Sequence, residues 1–303
     1  MKFDIVVGNP PYQAPSDQKK ITGNNGNLYP LFIEKSLEIA DLVMMIVPHR
    51  WTLSNSTKDF RVKMLKSSGL KYLKRFKSDV FGNGIEVKGG PSYFLCQKDY
   101  QGLIKIDSYN GNLFTIDSKQ EDLYRFQGPL LKEILRKVKS RTNGNLKCSD
   151  NSGVLASNDP KLKDDPFDDC IPVYISKGRI KYVARDMSAS LKDYGVWKVL
   201  IPNACSANTM AIRSIVADPR SSSNQSKRFI MCLTEDCAKN LVAYLDAIMI
   251  KFLMCLVQES HNIANPIFKL IPIVDLHGSW SDQAIRDYFK ITQEEEDWMA
   301  SCI

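Results

Sequence analysis

The tightest constraint on the fold lies near the start of the chain, where Phe3-Asp4-Ile5-Val6-Val7 runs directly into Gly8-Asn9-Pro10-Pro11-Tyr12. A short apolar run rich in β-branched residues favours a buried strand. Two consecutive prolines supply no backbone N–H to a ladder, so that strand must stop at the motif. The pattern returns at Leu42 to Val47, an apolar run closed by Pro48. Between the two, Leu28 to Ala40 carries Leu28, Leu31, Phe32, Ile33 and Leu37 at helical spacing after a polar loop from Gln13 to Asn27. Phe60 to Ser67 predicts a helix, and Leu70 to Phe76 and Ser92 to Cys96 predict strands. This alternation implies an α/β layer with a mostly parallel sheet.

Further along, Gly128 to Ser140 reads as a basic amphipathic helix, and Cys148 to Ile171 as a loop. Short strand-like runs follow between Val173 and Ala217. Arg220 to Ser226 is a polar, serine-rich loop, and Lys239 to Gln258 is one strongly apolar helix. The closing helix begins at Thr292, with Glu295 three residues on, the signature of a capping box. The chain's 303 residues suit two domains of ordinary size, divided here into 1–110 and 111–303.

Charge and cysteines narrow the chemistry. Lysine and arginine exceed aspartate and glutamate by 41 to 34, giving +7, which suits a nucleic-acid partner without requiring one. The eight cysteines form no C-x-x-C pair, and His49, His261 and His277 do not cluster with them, so no zinc site is expected. No secretory leader is read, and the thiols suit a reducing cytoplasm. The longest apolar stretch, Leu241 to Val257, is interrupted by Asp246 and Lys251 and reads as a buried helix rather than a membrane span.

Asn9-Pro10-Pro11-Tyr12 carries the chemistry. An exocyclic amine conjugated to a purine is a poor nucleophile. Two acceptors that take its hydrogens steer the nitrogen toward tetrahedral geometry and free its lone pair. The Asn9 amide oxygen and the Pro10 carbonyl can be those acceptors, held by the prolines. The Asn9 amide is no base, so its part is positioning and electrostatics. Tyr12 offers an aromatic face to a base taken out of the duplex. The plainer alternative is a tight strand-ending turn.

The blocks FDIVVGNPPYQ, NLYPLFIEKSLEIA and VMMIVPHRW resemble the restriction–modification type N6-adenine DNA methyltransferases of the N-P-P-Y class. GIEVKGGPSYFLCQKDYQG resembles the glycine-containing strand after their catalytic loop. QESHNIANPIFKLIPIVDL, with SWSDQAIRDYFKITQEEEDWM, resembles the end of their target-recognition region. The resemblance implies part of a Rossmann-like methyltransferase sheet over 1–110, followed by a mixed α+β target-recognition domain over 111–303. It implies methyl transfer from S-adenosylmethionine to N6 of adenine in a specific sequence of double-stranded DNA.

Under that resemblance Asn9, Pro10, Pro11 and Tyr12 form the catalytic loop. Asn27, Leu28, Tyr29 and Phe32 border the methyl donor, with amphipathic helix core as the other reading of Phe32. Tyr93 and Phe94 wall the base pocket, or are ordinary strand core. Arg213, Arg220, Lys227 and Arg228 flank the serine-rich loop and are expected to track phosphates. Basic residues at Lys132 to Arg141 and Arg179 to Arg185 are either a DNA face or simply solvated.

The glycine-rich donor loop of the family precedes N-P-P-Y, and only eight residues precede Asn9 here. Gly82-Asn83-Gly84 and Gly89-Gly90 do not replace it. The expectation is that Phe3 to Val7 presents an unpaired apolar edge, to which a second chain or dimer partner brings the donor-binding half. The alternatives are a catalytically silent DNA-binding specificity subunit, or an α/β interaction domain unrelated to DNA.

Overall fold

The computed structural model describes residues 2–14, 26–76, 79–82, 87, 89–107, 113–117, 123–150, 154–204, 212–258, 263 and 265–303. Most of the Gln13 to Asn27 loop, Asn83-Gly84, Cys205 and His261 lie outside the described residues. The chain forms two compact units, Met1–Pro129 and Leu130–Ile303.

The first unit is built on a six-stranded sheet. Its strands are β1 (Phe3–Gly8), β2 (Ala40–Pro48), β3 (Leu70–Arg75), β4 (Pro91–Gln97), β5 (Ile104–Asp107) and β6 (Leu113–Ile116), ordered β1-β2-β4-β3-β5-β6. β1 pairs with β2, and β3 with β5, in parallel. The pairs β2–β4, β3–β4 and β5–β6 are antiparallel. The sheet is therefore mixed rather than mostly parallel, because β4 inserts between β2 and β3 instead of adding beyond them. Helices α1 (Tyr29–Ile39) and α2 (Lys58–Lys66) supply Tyr29, Ile33, Phe60 and Met64 to a core that also takes Val43, Met45, Val47, Phe94 and Leu73 from the sheet.

Strand alternation sends the other set of side chains to the opposite face. There Leu42, Met44, Ile46, Tyr93 and Leu95 are half-buried. On β1 the odd positions are more open still: Phe3, Ile5 and Val7 are 44%, 49% and 66% exposed. β1 is thus an exposed edge strand and not the buried strand its composition predicts. Among the described residues it pairs on one side, and of β1 only Val6 packs against the core.

The second unit contains helix α3 (Leu131–Ser140) and two small sheets. One has the order β11 (Ile215–Ala217), β10 (Trp197–Pro202), β13 (Lys227–Cys232), β7 (Ser149–Asp150), all antiparallel. The other sets β8 (Cys170–Tyr174) between β9 (Ile180–Ala184) and β12 (Ser222–Ser223). Helix α4 (Glu235–Asp246) packs on β10, β11 and β13, and α5 (Ile248–Leu256) packs on α6 (Asp282–Phe289) and α7 (Gln293–Cys302).

The run expected as one helix is divided at Ala247, which is extended (φ −68°, ψ 148°). The Asp282 carboxylate accepts the Ile248 N–H at 2.8 Å and so caps a new helix start. The capping box at α7 forms as its sequence predicts, with Thr292 and Glu295 exchanging hydrogen bonds. Glu295 also takes both of its oxygens to Lys137 of α3, at 2.7 and 2.8 Å.

Candidate active site and DNA-facing residues

β1 delivers Asn9-Pro10-Pro11-Tyr12 to the sheet end at which β1, β2, β3 and β5 all terminate, since β3 runs parallel to β2 through two antiparallel pairings. In open α/β sheets this is where ligands bind. Asn9 and Pro11 are exposed, Pro10 is buried, and Tyr12 is half-buried. The loop is clamped from behind by the segment entering α1. The Tyr12 carbonyl accepts Leu28 N–H at 3.2 Å, Gln13 bridges to Asn27, and Ala14 N–H donates to Gly26 at 2.7 Å. The prolines and this clamp fix the main chain while leaving the Asn9 amide open to solvent.

The clamp brings Asn27 and Leu28 beside the motif. Asn27 is almost fully buried, and its amide oxygen accepts from Arg50 Nη2 at 3.4 Å. Tyr29 is fully buried against Phe60, edge to face at 6.0 Å. Burial pushes its hydroxyl up to about 12, against the opposing pull of Arg50. Burial likewise raises the Tyr12 hydroxyl. Phe32 is 46% exposed and is not part of the core.

Buried polar atoms without a partner among the described residues gather in this unit: Tyr12 Oη, Asn27 Nδ2, Tyr29 Oη, His49 Nδ1, Trp51 Nε1 and Ser92 Oγ. A buried group left unsatisfied costs about 1–3 kcal/mol, so several such atoms near one sheet end mark a place built for polar company. Of these, Asn27 belongs to the segment that bridges to the Asn9–Tyr12 motif. Arg50 and His49, which sequence reasoning passed over, follow the Pro48 stop at the end of β2. His49 is buried beside Thr52, and desolvation, then Arg75, holds its imidazole well below the usual histidine range.

Tyr93 and Phe94 occupy opposite faces of β4. Phe94 is fully buried in the core. The Tyr93 ring lies on the half-open face, 5.4 Å from Tyr72 and 5.8 Å from Phe76. Gly8 aligns with Met45 and Met45 with Phe94, and the next row toward the mouth holds Ile46 and Tyr93. Two interstrand spacings, about 10 Å, therefore separate Tyr93 from the start of the Asn9 loop. β2 lies between them, with Ile46 beside Tyr93, and Tyr93 and Phe94 do not share a face.

In the second unit Arg213 and Arg220 are exposed. Lys227 and Arg228 sit within β13, not in a loop. Lys227 is 6% exposed, and burial lowers its pKa. Arg228 donates Nε to the Ile263 carbonyl at 2.7 Å. The serine-rich segment is not a solvated loop either. Ser221 to Asn224 are buried, with Ser222 and Ser223 bonded to the buried Asp193 carboxylate. Among the described residues no three histidine, cysteine or acidic side chains gather as a metal site, and no helix is long and apolar enough to cross a membrane.

Residues 1–81 match the family model of the Eco57I restriction-modification methylase. A Mycoplasma pneumoniae protein described as an uncharacterized adenine-specific methylase is 33% identical over 136 residues, covering 41% of this chain and 31% of that protein. The chain thus spans about a third of the length of this curated relative. Among solved structures, the type IIL restriction-modification enzyme MmeI in complex with DNA superposes with a TM-score of 0.53 at 11% identity, over 99% of this chain and 53% of that one. The DrdV–DNA complex gives 0.50 at 11% identity, over 86% and 42%. The mixed α/β architecture resembles that of the restriction-modification enzyme MmeI, and residues 1–81, which hold Asn9 to Tyr12, match the Eco57I methylase family model.

Proposed function

We propose that this chain positions adenine for methylation at N6 within a specific DNA sequence, with S-adenosylmethionine as donor, as part of a restriction–modification methyltransferase. The observation that carries the reading is the placement of an exposed Asn9, held between a strand end and two prolines, at the sheet mouth beside a half-buried Tyr12. Asn9 Oδ1 and the Pro10 carbonyl accept the two amino hydrogens, which turns the nitrogen lone pair toward the attacked carbon. Acceptors set in place before the reaction act at no reorganisation cost. Tyr12 stacks on the extruded base, and Tyr93 bounds the opposite side of the base pocket. Asn27 and Tyr29 hold the polar edge of the donor through Asn27 Nδ2 and Tyr29 Oη, which have no partner among the described residues. The bound donor supplies an electrophilic methyl group. The proton lost by the amine passes to solvent, because an amide side chain does not take it.

DNA is the expected macromolecular partner, met by the exposed Arg213 and Arg220 of the second unit. The free edge of β1, where Phe3, Ile5 and Val7 are exposed, takes a further strand that carries the rest of the donor site, since such an exposed apolar edge is otherwise a liability. Calorimetry tests this. Residues 1–303 alone are expected to bind S-adenosylmethionine weakly, with tight binding appearing when the free edge of β1 is covered. Low-micromolar binding by residues 1–303 alone, roughly −8 kcal/mol, with methyl transfer, contradicts this.

A further inference from the structure

Lys198 lies in β10, between β11 and β13, and is fully buried. Its ammonium donates to three backbone carbonyls: Ser221 at 2.7 Å, Asp218 at 2.8 Å and Val196 at 3.2 Å. Three donors on one nitrogen are thereby matched by three acceptors. Two of those carbonyls are the ends of the turn Asp218-Pro219-Arg220-Ser221. The turn is closed by Ser221 N–H to Asp218 at 3.2 Å and Ser221 Oγ to the same carbonyl at 2.7 Å. The Asp218 carboxylate accepts Arg220 N–H at 2.7 Å, and Gly195 N–H holds the Pro219 carbonyl at 2.8 Å.

Directly after the turn, Ser222 and Ser223 are tied to the buried Asp193 and enter β12. From Arg220 to Asn224, only Arg220 is exposed. A buried lysine thus grips from beneath a turn that shows one cation to solvent. Desolvation pulls Lys198 down to about 8, against Asp193 and Asp218, so its charge is kept at a cost that an apolar side chain would avoid.

We propose that Lys198 is a positioning residue for Arg220, and that the Asp218–Ser221 turn is a phosphate contact of the DNA-binding unit. The inference rests on the DNA reading above and adds to it which residue touches the backbone and what fixes that residue's main chain. Fixing the turn in advance removes the ordering cost that a mobile arginine meets on binding.

The test is duplex-DNA binding by the full chain across a salt series, read by fluorescence anisotropy. Each phosphate contact contributes about 0.9 to the slope of log K against log salt. Arg220→Ala is expected to lower that slope by about 1. Lys198→Met touches no phosphate, yet is expected to lower it by the same amount, with no further loss in the double variant. Thermal melting checks that Lys198→Met folds. If it does not, Asp218→Ala, which releases the Arg220 N–H, takes its place with the same expected direction. A wild-type chain with no salt-dependent binding overturns the DNA reading itself. Salt-dependent wild-type binding with an unchanged slope in Arg220→Ala overturns the phosphate contact alone. A reduced slope in Arg220→Ala but an unchanged one in folded Lys198→Met, or in Asp218→Ala, overturns the positioning role.

Discussion

The ring and the hydroxyl of Tyr12 do separable things, and two substitutions distinguish them. The hydroxyl oxygen is buried with no partner among the described residues, and burial raises its pKa. A neutral hydroxyl in that position contributes nothing to binding a base and carries a desolvation cost of about 1–3 kcal/mol. Removing it as Tyr12→Phe leaves the ring in place, so stacking survives and stability rises by a part of that cost. Tyr12→Ala removes the ring and with it about 1–3 kcal/mol of base stacking, a loss of roughly 5- to 150-fold in capture of the extruded base. The assay is 2-aminopurine fluorescence at the target position, run beside overall DNA affinity in the reconstituted enzyme. Phe should hold the flipped-base signal near wild type. Ala should diminish it while nonspecific affinity, which depends on phosphate contacts, stays put. A Phe variant as defective as Ala would refute the reasoning, because it would make the hydroxyl and not the ring the working group.

Two further outcomes follow from the packing. His49 is held neutral by burial and by Arg75, so its folded pKa lies below its unfolded value near 6.5. Above that pH the imidazole is neutral in both states and stability is unaffected. As pH falls below it, only the unfolded chain binds the proton and stability drops, by about 1.4 kcal/mol per pH unit. Urea midpoints at acid and neutral pH should show this slope, and His49→Gln should lack it; equal slopes would contradict the linkage. Glu295 is 5% exposed and pairs with Lys137 as well as closing the α7 capping box. Glu295→Ala leaves the mostly enclosed Lys137 ammonium without its partner and should cost about 3 kcal/mol in chemical denaturation. Glu295→Gln, which keeps an acceptor, should cost clearly less.

Which features were legible in the sequence depended on how local their causes are. The β1 stop before the prolines, the α1 span and the α7 capping box are written in neighbouring residues, and each forms where the sequence indicates; the α1 face does not, since Leu31 and Phe32 are exposed while Tyr29 and Ser36 are buried with Ile33. The break at Ala247 is not legible, because no proline or glycine marks it; its cause is Asp282, far along the chain. The same applies to Ser221 through Asn224. Serines usually signal a solvated loop, but here Asp193 and Lys198 satisfy this segment's polar groups, so it is buried. Tyr93 and Phe94 read as a pair until the strand's period of two is applied, which sends one into the core. The exposure of Phe3, Ile5 and Val7 is the apolar edge expected of β1, although its apolar composition alone predicts burial. For the site itself, the motif was legible and its surroundings were not. Arg50 reaches Asn27 only once β2 and the α1 entry are folded together.

The central claim is that Asn9 positions the adenine amine for methyl transfer. The most direct measurement is mass-spectrometric quantification of N6-methyladenine in DNA treated with the reconstituted enzyme, wild type against Asn9→Ala. Loss of a preorganised acceptor should reduce the initial rate on the order of 100-fold or more, with DNA affinity little changed because Asn9 carries no charge. Wild-type rates from Asn9→Ala, or a methylated product that is not N6-methyladenine, would contradict it.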